Sequence, residues 1–128
     1  MTLIRISLAL LMVSAPAWAQ EADIAGSWII EAKFDDGSIA RPLCIFQQAG
    51  ARLTGTCKGP NSMGTSTGAV KGQQVSFTWN GVAYTPQGGT GQLVYSGALK
   101  ADGTISGKVV FNPSSTQALS GTFIAMKR

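Results

Sequence analysis

The chain has no histidine, and only six of its 128 residues are acidic. The first absence removes the commonest general base and metal ligand. The second leaves little for carboxylate chemistry, since Glu21, Asp23, Glu31, Asp35, Asp36 and Asp102 are scattered. Only Asp35 and Asp36 adjoin, and neighbouring residues on a strand or loop point apart. "FDDGS" reads as a turn with Gly37 at its tight position, and it supplies too few oxygens for a calcium ion. The sequence therefore predicts no enzyme, no metal site and no cofactor. Between Gly37 and Ala101 there is no acid at all, against Arg41, Arg52, Lys58, Lys71 and Lys100. That stretch is mildly basic, but five unclustered charges are no footprint for a nucleic acid.

Long apolar runs are also missing. The one short run, Ile6 to Val13, follows Arg5 and is closed by Ala17-Trp18-Ala19. It is too short to span a bilayer and reads as a secretory signal over residues 1–19, cleaved after Ala19. A single domain over 20–128 is then expected in the periplasm or outside the cell, with no insertion into a membrane. Cysteine occurs only twice, at Cys44 and Cys57. In an oxidising compartment such a pair forms a disulfide. A hairpin turning between Gly50 and Ala51 places the two directly opposite each other, within reach of a bond. A redox site would prefer Cys-x-x-Cys at a helix start. The bridge belongs to the scaffold, and the search for function moves to the loops at the other end.

Nothing in 20–128 has a helical period. Two-residue alternation recurs instead, over eight candidate strands at 26–33, 40–49, 51–58, 65–71, 73–80, 91–100, 104–111 and 118–127. One pattern appears five times: an apolar or small residue, Ser or Thr, Gly, any residue, then an apolar or small one. It is carried by "LTGTC" at 53–57, "STGAV" at 66–70, "YSGAL" at 95–99, "ISGKV" at 105–109 and "LSGTF" at 119–123. On a strand the glycine shares the inner face with the apolar positions, and the polar residues face outward. Repeated inner glycines let a sheet coil until it closes. The polar outer face argues against an outer-membrane barrel. The expected fold is all-β, an eight-stranded antiparallel up-and-down barrel with one hairpin disulfide. Tight turns near Gly50, Gly72 and Ala101-Asp102-Gly103 fall at one end. The longer connections 34–39, 59–64, 81–90 and 112–117 fall at the other, giving a closed base and a loop-framed mouth.

The opening "AGSWII" resembles the Gly-x-Trp signature of the calycin barrels, the lipocalin-like and avidin-like proteins, with Gly26 and Trp28 matching. The resemblance implies that a basic residue of the last strand, Lys127 or Arg128 in "FIAMKR", packs across Trp28 at the base. The likeness to avidin is weaker, because Ile29 and Ile30 stand where that family places polar residues for biotin. It also implies a binding protein without enzymatic activity.

Inward positions are Trp28, Ile30, Phe46, Leu53, Val75, Phe77, Trp79, Leu93, Tyr95, Leu99, Ile105, Val109, Phe111, Leu119 and Phe123. So many large side chains predict a mostly filled base. Gln48 is the polar exception and is expected to satisfy backbone groups at the closed end. Trp79 at the mouth end of its strand, Tyr84 in the longest loop, and Asn61, Gln87 and Asn112 around the rim are the candidate ligand contacts. The partner is expected to be a small, mainly apolar molecule. The alternative is a periplasmic protein engaged by the same loops, as an inhibitor or accessory subunit would do.

Overall fold

Alternation of small polar and large apolar residues forces the chain into strands, and inner-face glycine lets those strands close. The computed structural model describes residues 21–60, 62–84, 89–113 and 117–128. Among the described residues nine strands occur: β1 (Gly26–Phe34), β2 (Ile39–Ala40), β3 (Leu43–Ala49), β4 (Arg52–Lys58), β5 (Met63–Lys71), β6 (Gln74–Tyr84), β7 (Gly89–Leu99), β8 (Ile105–Pro113) and β9 (Leu119–Lys127). From β3 onward each strand pairs antiparallel with the next. β1 pairs with both β3 and β9, so eight strands form a closed antiparallel barrel. β2 is a two-residue flap on β1.

The glycines act through space, not conformation. A Cβ at Gly55, Gly68, Gly97, Gly107 or Gly121 would collide with a carbonyl oxygen of the adjoining strand, that of Ile45, Ser76, Ser106, Ser96 and Lys33 respectively. The strands approach each other there because the sheet bends sharply. A ring fills the space left by three of them: Phe46 pairs with Gly55, Phe77 with Gly68, and Phe123 with Gly107. The rings in turn meet across the interior. Phe77 stacks on Tyr95 with centroids 4.6 Å apart, Phe46 meets Phe77 edge-on at 4.8 Å, and Tyr95 meets Phe123 edge-on at 5.0 Å. Contacts of this kind add to simple burial, and this layer seals the middle of the barrel.

The base is closed as well. Two-residue turns at Gly50-Ala51 and Gly72-Gln73 place their glycines at a φ of 61°, a left-handed conformation that disfavours a side chain. Residues 22–24 lie beneath the barrel. The Ala22 N–H donates to the Gly72 carbonyl at 3.0 Å, and Ile24 is fully buried. Gln48 holds this segment as expected. Its Oε1 accepts from the Ile24 N–H at 2.8 Å, and its Nε2 donates to the carbonyls of Ala22 and Gly50 at 2.8 and 2.9 Å. The Trp28 Nε1–H donates to the Ile24 carbonyl at 2.8 Å. Lys127, directly opposite Trp28, places Nζ 5.8 Å from its ring centre. Lys127 thus fills the role expected of the last strand. Arg128 instead ties its backbone N–H to the Ser27 carbonyl.

Several expected boundaries move. Pro42 has no N–H to give a ladder, so the expected strand 40–49 divides into β2 and β3. The connection 59–64 shortens, since Gly64 is a strand residue. Its missing Cβ clears the Asn80 carbonyl. The supposed longest loop, 81–90, is mostly strand, with only 85–88 left between β6 and β7. Its glycines read as punctuation but work otherwise. The register shifts between Asn80 and Val82, making Gly81 the extra residue of a bulge, and Gly89 and Gly91 pair with Tyr84 and Val82.

Closure by glycine makes a quantitative prediction. Gly107→Ala forces a methyl group onto the Ser96 carbonyl and costs about 3 kcal/mol, at the upper end of overpacking. Gly72→Ala has open space and costs only the left-handed backbone penalty, about 1 kcal/mol. Urea denaturation of the two variants beside the parent checks the order. Equal costs would show that space is not what the inner glycines provide.

Candidate functional site

Beyond the ring layer the inner face continues toward the loop-bearing end. β5, β6 and β7 line it side by side. Ser66 on β5 stands directly opposite Trp79 on β6, and Tyr95 on β7 is the diagonal neighbour of Trp79 on the same inner face. All three are buried, at 1%, 2% and 0% exposure. None of their polar atoms, Ser66 Oγ, Trp79 Nε1 and Tyr95 Oη, has a hydrogen-bond partner. Buried polar groups without partners are rare, because each costs about 1–3 kcal/mol to desolvate. Finding three together on consecutive strands marks the site.

The contrast with the base is sharp. There Gln48 and the Trp28 indole, equally inward, are fully engaged. At the mouth end the Trp79 indole is packed against glycines, 3.6 Å from where a Gly59 Cβ would lie and 3.1 Å from a Gly64 Cβ. Glycine at 64 makes room for the ring, whereas a Cβ at 59 would meet it at ordinary contact distance. Burial also pushes the Tyr95 phenol above its ordinary pKa of 10.0, so it stays a neutral hydroxyl.

Of the residues expected to contact a ligand, Trp79 is placed as anticipated, inward and toward the mouth. Asn112 is exposed and pairs with Gln92. By the alternation of β8 its side chain leaves on the side opposite Phe111, away from Trp79. Tyr84 closes β6, but its side chain, like Asn61 and Gln87, lies outside the described residues. Ser66 and Tyr95 belong with Trp79 and were missed as contacts, although each is a polar atom at an inward strand position, the signal that singled out Gln48.

The Cys44–Cys57 disulfide forms as predicted, between residues directly opposite each other on β3 and β4. Its location corrects one expectation. Cys57 is one residue from the end of β4 and far from the Gly50 turn, so the bridge ties the open end of the β3–β4 hairpin, with Cys44 directly opposite Trp28 on β1. Cys57 pairs with Gly64, which adjoins Trp79. The scaffold's covalent link therefore borders the candidate site.

The solved structure of EF1p2_mFAP2b bound to DFHBI is similar to this chain. Its TM-score is 0.61 at 12% identity, covering 81% of this chain and 93% of that one. At that identity the likeness concerns the fold alone. No family model and no curated protein matches the chain.

Three of the six acids have partners of their own. Asp36 Oδ1 accepts from the Ser38 hydroxyl at 2.6 Å and the Ser38 N–H at 2.9 Å, within the turn headed by Gly37. Asp102 Oδ1 does the same with Thr104, at 2.7 and 3.0 Å. Glu31 pairs with exposed Arg41 at 2.9 Å. Among the described residues no group of three His, Cys, Asp or Glu side chains is placed to hold a metal.

The side-chain hydroxyls first, and the backbone N–H groups second, hold both turn carboxylates below their ordinary value of 3.8. A folded value below the unfolded one stabilises the protein above the unfolded value, and that contribution vanishes as the pH falls through the folded one. Asp36→Asn with Asp102→Asn should therefore lower stability at neutral pH. The gap to the parent should close as the medium is acidified below about pH 4. Denaturant midpoints across that range check this, and a gap independent of pH would contradict it.

Proposed function

We propose that the protein is a secreted, non-enzymatic binding protein of calycin type, holding a small and mainly apolar molecule in the mouth-side half of its barrel. One observation carries this reading: the three buried, unpartnered polar atoms of Ser66, Trp79 and Tyr95. A barrel of eight strands has room for its own side chains or for one small ligand. Here the ring layer and the Ile24 plug account for the rest of the interior, which leaves the ligand the end where polar groups are unmet. The fold has precedent for the role, since EF1p2_mFAP2b holds DFHBI.

The non-enzymatic part of the reading is supported by chemistry. The whole chain lacks histidine, and Asp36, Asp102 and Glu31 are engaged in turns or on the outer surface. The secreted part is supported by the sequence of residues 1–19 and agrees with the Cys44–Cys57 bridge, which an oxidising compartment favours.

Native mass spectrometry of protein purified without denaturant from its producing cells tests the reading. A small-molecule adduct is expected, removable by organic extraction, and its loss should lower the melting temperature by mass action. Protein that carries nothing and gains no stability from any member of a neutral apolar library would overturn it.

A further inference from the structure

The chemistry of the three unmet groups narrows the ligand, on the reading that the barrel holds one. An indole N–H is a donor and cannot accept, so only an acceptor atom satisfies Trp79. The hydroxyls of Ser66 and Tyr95 each donate or accept and add no charge. No charged side chain is buried among the described residues. Of the four connections expected at the mouth, the stretches 59–64, 81–90 and 112–117 contain no charged residue; 34–39 carries Asp35 and Asp36, and the Asp36 carboxylate is taken up by Ser38 in its own turn. An ion entering here would lose its hydration with no counter-charge to replace it. The surrounding walls are aromatic, with the Phe77–Tyr95 stack below and Trp79 alongside.

We infer that Ser66, Trp79 and Tyr95 form a subsite for a neutral aromatic carbonyl compound, whose oxygen accepts from the Trp79 Nε1–H while its rings lie against the aromatic wall. The hydroxyls of Ser66 and Tyr95 serve the same oxygen or a second polar atom of the ligand. Selection follows from the same physics that makes the free site costly. A hydrocarbon of equal shape leaves the indole donor unmet, whereas a ketone satisfies it, a difference on the order of tenfold in affinity.

The molecule contains its own reference for a test. Trp28 donates its indole N–H to the Ile24 carbonyl at 2.8 Å, and Trp79 donates to nothing. In 15N-labelled protein, Trp79→Phe assigns the Trp79 indole signal by removing it. The probes are 1-indanone with indane, and 9-fluorenone with fluorene, so that each ketone has a matched hydrocarbon and two sizes are sampled. At least one ketone should bind and move the Trp79 indole proton downfield while the Trp28 proton stays. Its hydrocarbon should bind on the order of tenfold more weakly without that move. Trp79→Phe should bring the ketone down to the hydrocarbon's affinity, with the Trp28 signal retained as the control for folding. Equal binding of ketone and hydrocarbon would overturn the subsite and leave the binding reading intact. A Trp79 proton already downfield in the free protein and unmoved by bound ketone would assign the donor to water and overturn it too. Failure of all four probes to bind would overturn the subsite, while the binding reading is decided separately by the adduct and the apolar library.

Discussion

Everything in this barrel depends on how closely its strands approach at the inner glycines. Five repeats of one short pattern place a residue without a side chain where the neighbouring strand's carbonyl oxygen comes too near for any Cβ. Bending concentrates at these points, and eight strands can then close. The same glycines govern the packing. Phe46, Phe77 and Phe123 lie opposite glycine partners, and with Tyr95 they meet across the middle. Glycine thus sets both the curvature of the wall and the position of the rings that fill it.

That filling gives the remaining polar atoms their significance. At the base the inward polar groups are matched: Gln48 makes two hydrogen bonds to the segment that plugs the opening and one to the Gly50 carbonyl, and the Trp28 indole makes one to Ile24. A protein able to satisfy an amide so completely at one end leaves an indole, a phenol and a hydroxyl unmet at the other. Stability alone would favour an apolar residue at each of those positions. The cost is understandable where a ligand supplies the missing partners, and the disulfide beside Gly64 holds the surrounding strands in place for it.

Much of the architecture was legible because it follows from simple periods. The spacing of Ser/Thr-Gly pairs revealed the inner face, the positions of Cys44 and Cys57 about Gly50 revealed the hairpin register, and Gln48 stood out as polar on an apolar face. The mouth was harder to read. Gly64, Gly81 and Gly89 looked like loop residues, since nothing local distinguishes a glycine that breaks a strand from one that lets another strand pass close by. Pro42 divided a strand for a reason visible in its chemistry but overlooked in an otherwise apolar run. Residues 22–24 belong to no strand, and only the closed barrel reveals them as a plug. Ser66 and Tyr95 were hidden by their own patterns, one read as the small residue that opens a glycine repeat and the other as an aromatic core residue.

The central claim is that the unmet polar atoms of Ser66, Trp79 and Tyr95 are meant to be matched by an organic molecule. A high-resolution crystal structure of protein purified from its producing cells addresses this directly. The account predicts continuous, flat electron density against Trp79, with an atom within hydrogen-bond distance of Nε1. Side chains repacked so that all three polar atoms bond to the protein itself, or a lone ordered water bridging them, would contradict it.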